Sequence, residues 1–411
     1  MDIGSVVQLE ISDIAFGGDG VARDAEGRVV FVPFTALGDV ADIEIVEVHS
    51  RFARGRLREV VEPGEGRVEP RCPHYGRCGG CCYQHLDYEH EVSAKVRQLH
   101  DVLERVGRLE NVPPPEPVVP SPEPFGYRNK LRVEPIVSAD AGDGPPEVAY
   151  GFCELDNETF FALDSCPLAA SALNDVLPKA QRSDWARKNA ARPHPGPLTL
   201  RLAADGRTAF YFNRAPRRVP WLREQLCGGE VGVPLGSFWQ VNGAVGERLT
   251  STVADWCCEA PSDVFIDAYA GVGPFSLAVG NRIPRHVLVE RDKEALDAAE
   301  YNHRQWGIKD VLLQAGTTEK LIPKGLRSLR HKGAEAIVVL DPPRHGCADR
   351  VIASLARSKV PRIVYVSCNV STLARDLKRL CKETDFAVQR IAFFDMFPQT
   401  AHFEVAAWVT R

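Results

Sequence analysis

The chain has 411 residues, 44% hydrophobic and 26% charged, with twelve cysteines and a formal net charge of -5. That is ample apolar material for two or three packed domains, while the charge excludes a uniformly basic nucleic-acid binder. No apolar run approaches the roughly 18 residues of a membrane span, and the start MDIGSVVQLEISD lacks the basic-then-apolar form of a secretory signal. A cytoplasmic location is expected, where thiols stay reduced, so clustered cysteines point to metal ligation or nucleophilic chemistry rather than disulfides.

Residues 1–62 hold six basic and twelve acidic residues, so the acidic excess lies at the N-terminus. Short strand-like runs separated by FGGDG and AEGR predict a small closed barrel there. Its last strand carries Arg51, Arg54, Arg56 and Arg58. A Cys-rich stretch follows, then a predicted helix over 84–110, with Val92, Val96, Leu99 and Leu103 at helical spacing. VPPPEPVVPSPEP (112–124) has seven prolines in thirteen residues and reads as an extended linker.

Lys179 to Arg223 contains eleven Lys or Arg against Asp184 and Asp205, interleaved with Trp185, Phe210, Tyr211, Phe212 and Trp221. Cations beside stacking rings suit single-stranded nucleic acid. A solvated helix face beside core aromatics is the plainer reading.

The C-terminal third alternates strand and helix. VFID (264–267), HVLVE (286–290), AIVVLD (336–341) and RIVYVSC (362–368) predict a buried parallel sheet with helices on both faces, closed by the antiparallel runs FAVQRIAFF and HFEVAAWVT. In FIDAYAGVGPFSLAV, Asp267 ends a strand, Gly271 and Gly273 form a turn, and Glu290 ends the next strand where it can accept from ribose hydroxyls. A third glycine of the dinucleotide pattern is missing, which favours adenosylmethionine over a nicotinamide cofactor.

Asp341-Pro342-Pro343-Arg344 and Ser367-Cys368-Asn369 end neighbouring predicted strands at the carboxyl edge. A thiol beside a methyl donor suits pyrimidine methylation: thiolate addition at C6 gives C5 carbanion character. The C5 proton must then leave to a base, and Glu404 is the candidate. Cys347 is a rival nucleophile, and His402 an orienting or surface residue. Cys72, Cys78 and Cys81 lie close together in a Gly-rich loop and need a fourth ligand, for which Cys166 in LDSCPLA is chosen; iron-sulfur and zinc both suit four thiolates. Cys82, adjacent to Cys81, is expected to point away.

Together FGGDGVAR (16–23), CPHYGRCGGCCYQH (72–85), YRNKLR (127–132), GSFWQVN (236–242), DAYAGVGPFSLAV (267–279), DPPRHG (341–346), VYVSCN (364–369) and DMFPQTAHFE (395–404) resemble the RNA uracil-C5 methyltransferases. The likeness is to the branch with an N-terminal TRAM domain and a [4Fe-4S] cluster that modifies 23S ribosomal RNA. It implies a multidomain α/β protein: a TRAM OB-like β-barrel (1–62), a central α+β RNA-facing domain with the cluster (63–83 and 119–236), and a Rossmann-like methyltransferase domain (84–118 and 237–411).

The same resemblance implies Cys368 as nucleophile and Glu404 as proton acceptor. Adenosylmethionine contacts are implied for Gln240, Tyr269, Glu290, Asp341 and Pro274, beside the turn glycines Gly271 and Gly273. The cluster ligands implied are Cys72, Cys78, Cys81 and Cys166. Structured RNA is the expected partner, with no DNA and no membrane, and a monomer is expected. Transfer RNA as the target, or a non-catalytic RNA-binding iron-sulfur protein, are the alternatives. Three positions depart from the family pattern: Val370 replaces a proline, Cys82 a polar residue, and the acidic or amide residue after the third strand gives way around Thr317.

Overall fold

A computed structural model describes residues 2–137, 148–332, 334–382 and 384–411. The N-terminal strands β1 (Val6–Glu10), β2 (Asp13–Ile14), β3 (Gly20–Arg23), β4 (Val29–Val32), β5 (Val40–Val48) and β6 (Phe52–Glu62) form one sheet in the order β1-β5-β6-β4-β3-β2. Alternate residues of β5, namely Ala41, Ile43 and Ile45, join Ile11, Val30, Val32 and Ala53 in the buried core, as period-2 patterning requires. The arginines of β6 are spent on neighbouring carboxylates: Arg54 lies 3.4 Å from Asp19, and Arg58 lies 2.7 Å from Glu44.

Helix α1 (Tyr88–Asp101) begins where the Asp87 carboxylate accepts from the His90 N–H, later than the predicted position 84, and ends in a π-helical turn over Val102–Val106. Leu86 and Ala94 pack into the N-terminal sheet's core, whereas Leu99, Val102 and Leu103 pack into the C-terminal one. The helix therefore bridges two cores.

Its continuation corrects the linker expectation. Pro115–Val119 is strand β7, the last strand of the C-terminal sheet. Prolines are tolerated there because an edge strand is paired on one side only, so a missing N–H need not leave a ladder partner unsatisfied.

The central region has strands β8 (Lys130–Val137), β9 (Val148–Cys153) and β10 (Phe160–Ala162), helices α2 (Ser171–Gln181) and α3 (Asp184–Ala190), then β11 (Leu198–Leu202) and β12 (Thr208–Phe212). Its sheet order is β10-β9-β8-β11-β12. Leu173, Leu177 and Ala180 of α2 cover Leu131, Val133, Leu198 and Leu200. A hairpin of β13 (Leu222–Leu226) and β14 (Gly229–Val233) follows, turning at Cys227-Gly228 with both residues at positive φ, as tight hairpin turns demand.

The C-terminal unit runs α4 (Gly243–Cys258), β15 (Val264–Ala268), α5 (Pro274–Val279), β16 (Arg285–Glu290), α6 (Lys293–Gln305), β17 (Asp310–Ala315), α7 (Thr318–Lys332), β18 (Ala336–Leu340), α8 (Asp349–Ala356), β19 (Arg362–Ser367), α9 (Val370–Lys382), β20 (Ala387–Phe394) and β21 (Glu404–Thr410). The sheet order is β17-β16-β15-β18-β19-β21-β20-β7. Strands β15 to β19 pair in parallel, and β21 is antiparallel to both β19 and β20. Every residue of β15, β18 and β19 is buried, which the unbroken apolar runs foretold. The chain leaves β15 toward β16 on one side and returns to β18 on the other, so a crevice opens outside the carboxyl ends of β15 and β18. No helix among the described residues is long and apolar enough to cross a membrane.

Candidate active site

Asp341 follows the last residue of β18 and Cys368 the last residue of β19, so both stand on the carboxyl edge. In the antiparallel ladder Ser367 faces Val405. Cys368 and Glu404 lie just beyond that last pair, near enough for the charge of Glu404 to bear on the thiol. Residues 36 positions apart in sequence thus meet because β21 runs back along β19.

The loop around Cys368 is shaped by its neighbours. Ser367 Oγ donates to the Asn369 carbonyl (3.0 Å), and Asn369 Oδ1 accepts from the Ser371 N–H (3.1 Å), capping α9. Asn369 Nδ2 reaches the Arg344 carbonyl (3.1 Å), fastening the DPPR loop to the cysteine loop.

Glu404 is buried, and its Oε2 has no hydrogen-bond partner among the described residues. Burial raises its carboxyl well above the usual range, the charge of Asp341 adds to this, and Arg344 opposes it. Burial raises Asp341 to about 7. Burial, Glu404 and Asp341 together push the Cys368 thiol up to about 12, again against Arg344. The site thus holds two carboxyls and a thiol that resist negative charge, an arrangement primed for a cationic ligand.

Cys347, the rival nucleophile, is sealed away. It is 3% exposed, and its N–H is held by Asp376 Oδ2 (2.8 Å), whereas Cys368 is half-buried at the open edge. His402 lies beside the site with its ring kept neutral: packing lowers it to about 4, and Arg344, Lys95 and Arg128 add repulsion. Arg344 was quoted in the DPPR motif but given no role from sequence; its placement among Cys368, Glu404 and His402 emerges only from the folded edge.

Four of the seven cofactor candidates line the neighbouring crevice, and Tyr269, Gly273 and Glu290 lie outside its lining. Gln240, Gly271, Pro274 and Asp341 share one pocket with Phe238 and Val272. Gln240 Oε1 is buried without a partner among the described residues, which points to a polar ligand atom. Room for Gln240 comes from Gly246, where a Cβ would lie 2.8 Å from Gln240 Cβ. In the turn, Tyr269 adopts φ 68° and Gly273 φ 86°, and the open space about Gly271 lets a ligand approach its backbone. Glu290 accepts from the Gly271 N–H (2.9 Å) with one oxygen and from the Arg291 and Asp292 N–H groups (2.7 Å each) with the other. Tyr269 directs its hydroxyl toward Cys347 Sγ at 3.8 Å. Thr317 sits just before α7, where its carbonyl accepts from Lys320 and Leu321.

Comparison with known proteins decides the family. Residues 233–411 match a family profile described as tRNA (uracil-5-)-methyltransferase, and residues 2–57 match a TRAM domain. The chain is 34% identical to an RNA methyltransferase of Nostoc sp., over 99% of this chain and 96% of that one. The chain belongs to the RNA (uracil-C5) methyltransferase family. It is also 28% identical to a tRNA (uracil(54)-C(5))-methyltransferase of Schizosaccharomyces pombe, over 98% of this chain and 78% of that one. The fold matches the crystal structure of the Pyrococcus abyssi tRNA (uracil-54, C5)-methyltransferase in complex with S-adenosyl-L-homocysteine, with a TM-score of 0.71 at 23% identity, covering 98% of this chain and 100% of that one. Members of this family use S-adenosylmethionine, so the crevice beside Asp341 and the glycine turn is the place to read for a methyl donor.

A second cysteine group stands apart from this edge. Cys72, Cys78, Cys81 and Cys166 line one cavity of about 240 Å³, together with Cys153 and Arg128. Burial raises the Cys72 and Cys78 thiols and pushes Cys81 up to about 12. Among the described residues, no three His, Cys, Asp or Glu side chains converge on a single metal ion. Cys82 does turn from the cavity's set: it packs against the N-terminal core, and its N–H donates to the Gln399 carbonyl (3.0 Å).

In the basic, aromatic segment 179–223 most of the rings and four of the arginines are structural, whereas Lys179, Arg182, Lys188, Arg192, Arg214, Arg217 and Arg218 are exposed and have no ionic partner among the described residues. Arg201 is fully buried, 3.5 Å from Glu224, and donates to the Ser237 carbonyl (3.0 Å). Arg187, Arg207 and Arg223 pair with Asp184, Asp205 and Glu230. Phe210, Tyr211 and Phe212 pack into cores, and Trp221 meets the Tyr301 ring. Trp185, 60% exposed, is the aromatic that stays available.

Proposed function

We propose that this family member methylates C5 of a specific uridine in structured RNA through a covalent enzyme adduct. The observation that carries the reading is the gathering of Cys368, Glu404 and Asp341 at one sheet edge, with a buried carboxylate oxygen of Glu404 left unpartnered. Gln240, Tyr269, Gly271, Gly273, Pro274, Glu290 and Asp341 would hold S-adenosylmethionine, which supplies an electrophilic methyl group on a positively charged sulfur.

The chain's own residues do the rest. Cys368 loses its proton to water in the open cleft and its sulfur bonds to C6 of the uracil, leaving an enolate with carbanion character at C5. After C5 has taken the methyl group, Glu404 removes the C5 proton. The electrons of that C–H bond restore the C5=C6 double bond as the C6–S bond breaks, returning the thiolate. Arg344 favours negative charge on Cys368 and Glu404, partly offsetting the burial that resists it. The target base must leave its stack to reach this edge.

We infer 23S ribosomal RNA as the target, on the whole-chain motif resemblance, with the enzyme at work in the cytoplasm. A transfer-RNA target is favoured by the S. pombe relative and by the family profile. Mapping methylated uridines in RNA from cells with and without the gene decides between them. Cys72, Cys78, Cys81 and Cys166 are read as ligands of a [4Fe-4S] cluster. A single zinc ion needs four sulfurs about 2.3 Å away, whereas thiols set around a cavity suit a larger group. Anaerobic purification with iron and zinc analysis and a visible spectrum tests this.

A further inference from the structure

Helix α9 carries a positively charged feature that none of these roles uses. Val370, Leu373, Ala374, Leu377 and Leu380 turn to the core. The opposite side places Arg375, Lys378, Arg379 and Lys382 at i, i+3, i+4 and i+7, a single stripe along the helix. At about 1.5 Å per residue the stripe is about 10 Å long. A cleft of about 620 Å³ separates it from α8, and Arg357, just past the end of α8, lines the other wall.

Asp349 is the one carboxylate lining this cleft among the described residues, and it pairs with Arg379. Arg375 pairs with Asp376 at 2.8 Å. Among the described residues, Arg357, Lys378 and Lys382 have no ionic partner.

The stripe is tied to the catalytic edge. Arg375 donates to the His345 carbonyl (2.9 Å), and Thr372 Oγ1 to the Arg344 carbonyl (3.3 Å). Its first cation is therefore fastened to the loop that brings Arg344 beside Cys368 and Glu404. A helix that starts at the nucleophile and carries cations outward suits a strand whose base is in the pocket and whose backbone continues away from it.

We propose that the α8–α9 cleft is a track for the RNA backbone, with phosphates flanking the target nucleotide lying along Arg375, Lys378, Arg379 and Lys382 and facing Arg357. The inference rests on the RNA methyltransferase reading and adds the surface that holds the substrate strand. A stripe of this length matches about three nucleotides at about 3.4 Å each along a helical strand.

The test is the salt dependence of binding to a fluorescein-labelled single-stranded oligouridylate, measured by anisotropy between about 50 and 200 mM salt. Removing two phosphate contacts lowers the slope of log K against log salt by about 1.4, at about 0.7 per contact on single strands. The variant K378Q/K382Q is expected to show that drop, and R357Q a drop of about half that size. K309Q, which alters an exposed lysine outside the cleft, is expected to keep the wild-type slope.

In turnover with RNA from cells lacking the gene, K378Q/K382Q is expected to raise KM for RNA several-fold while KM for adenosylmethionine stays put. An unchanged slope in K378Q/K382Q, or an equal drop in K309Q, overturns the track and leaves a solvated helix face. If wild-type protein methylates no RNA at all, the proposed function fails instead, and the two failures are separable because wild-type activity is measured first.

Discussion

The molecule holds two sets of buried or half-buried thiols, and what surrounds them assigns different chemistry to the same side chain. Cys368 stands alone at a strand end, facing Glu404 and Asp341 with Arg344 close by. Cys72, Cys78, Cys81 and Cys166 surround a cavity, and neighbouring thiols add to burial in raising Cys78 and Cys81. Burial raises the thiol in both places, so a raised pKa alone does not mark a nucleophile. The discriminating feature is the company: on the proposed reading, a thiol beside carboxylates on the sheet edge adds and leaves, whereas thiols around a common cavity would share one ligand.

Substitution at Cys368 separates the two sets most sharply. Cys368→Ala is expected to lower methyl transfer by on the order of 10⁴-fold or more, measured with labelled cofactor, since it removes the group that activates C5. Cys347→Ala, altering a thiol in the core, is expected to stay within about tenfold of wild type; a collapse there with Cys368→Ala active would exchange the two assignments. Cys81→Ala and Cys166→Ala are expected to lose bound iron and melt at lower temperature while still binding adenosylmethionine by calorimetry. Retained iron in both would break the cavity's side of the comparison.

The two regions communicate through one buried ion cluster. Lys95 of α1 lies 2.7 Å from Glu91 and 2.8 Å from Asp395, all three fully buried, and Glu91 accepts from the Gln399 N–H (2.6 Å). The Gln399 carbonyl in turn accepts from Cys82 and Tyr83, so the loop leading to Glu404 is held from the cysteine side and from α1 together. Lys95→Met leaves two buried carboxylates unmatched and is expected to cost about 3–5 kcal/mol in urea unfolding. Burial already raises Glu91, so protonation relieves the variant in acid: its deficit is expected to be smaller at pH 5 than at pH 8. A pH-independent deficit would mean the carboxylates are not its source.

A smaller effect concerns the cofactor's charge. Asp341, raised to about 7 by burial, is protonated below that pH and negative above it. Affinity for cationic S-adenosylmethionine is therefore expected to rise several-fold from pH 6 to 8, and affinity for the uncharged thioether S-adenosylhomocysteine to change less. Parallel titration curves would remove Asp341 from the sulfonium's surroundings. Smallest of all, Arg58→Gln breaks the pair of an exposed arginine with half-buried Glu44, which Arg56 still neighbours at 3.7 Å, and is expected to shift stability by less than about 1 kcal/mol in thermal melts.

Much of the catalytic edge was legible because buried parallel strands announce themselves: AIVVL and IVYV are unbroken apolar runs that end at the carboxyl edge, just before Asp341 and Ser367-Cys368. The facing of Cys368 by Glu404 was not legible from spacing, since it depends on the register of β21 against β19. Pro115–Val119 hid a strand because edge pairing tolerates proline, which local propensity counts against a strand. Arg201 and the rings from Phe210 to Phe212 looked like an RNA surface because a sequence lists cations without their partners; Glu224, the residue that neutralises Arg201, lies 23 positions away on another strand.

The central claim is the covalent pair, and Glu404→Gln with substrate RNA and adenosylmethionine tests it most directly. In the proposed mechanism, addition and methyl transfer need Cys368, while release of the RNA needs the C5 proton removed by Glu404. Mass spectrometry after digestion is expected to find a methylated uridine bonded to Cys368, accumulating in Glu404→Gln and absent from Cys368→Ala. Free methylated RNA released at the wild-type rate with no adduct, or an adduct on another cysteine, would contradict the account.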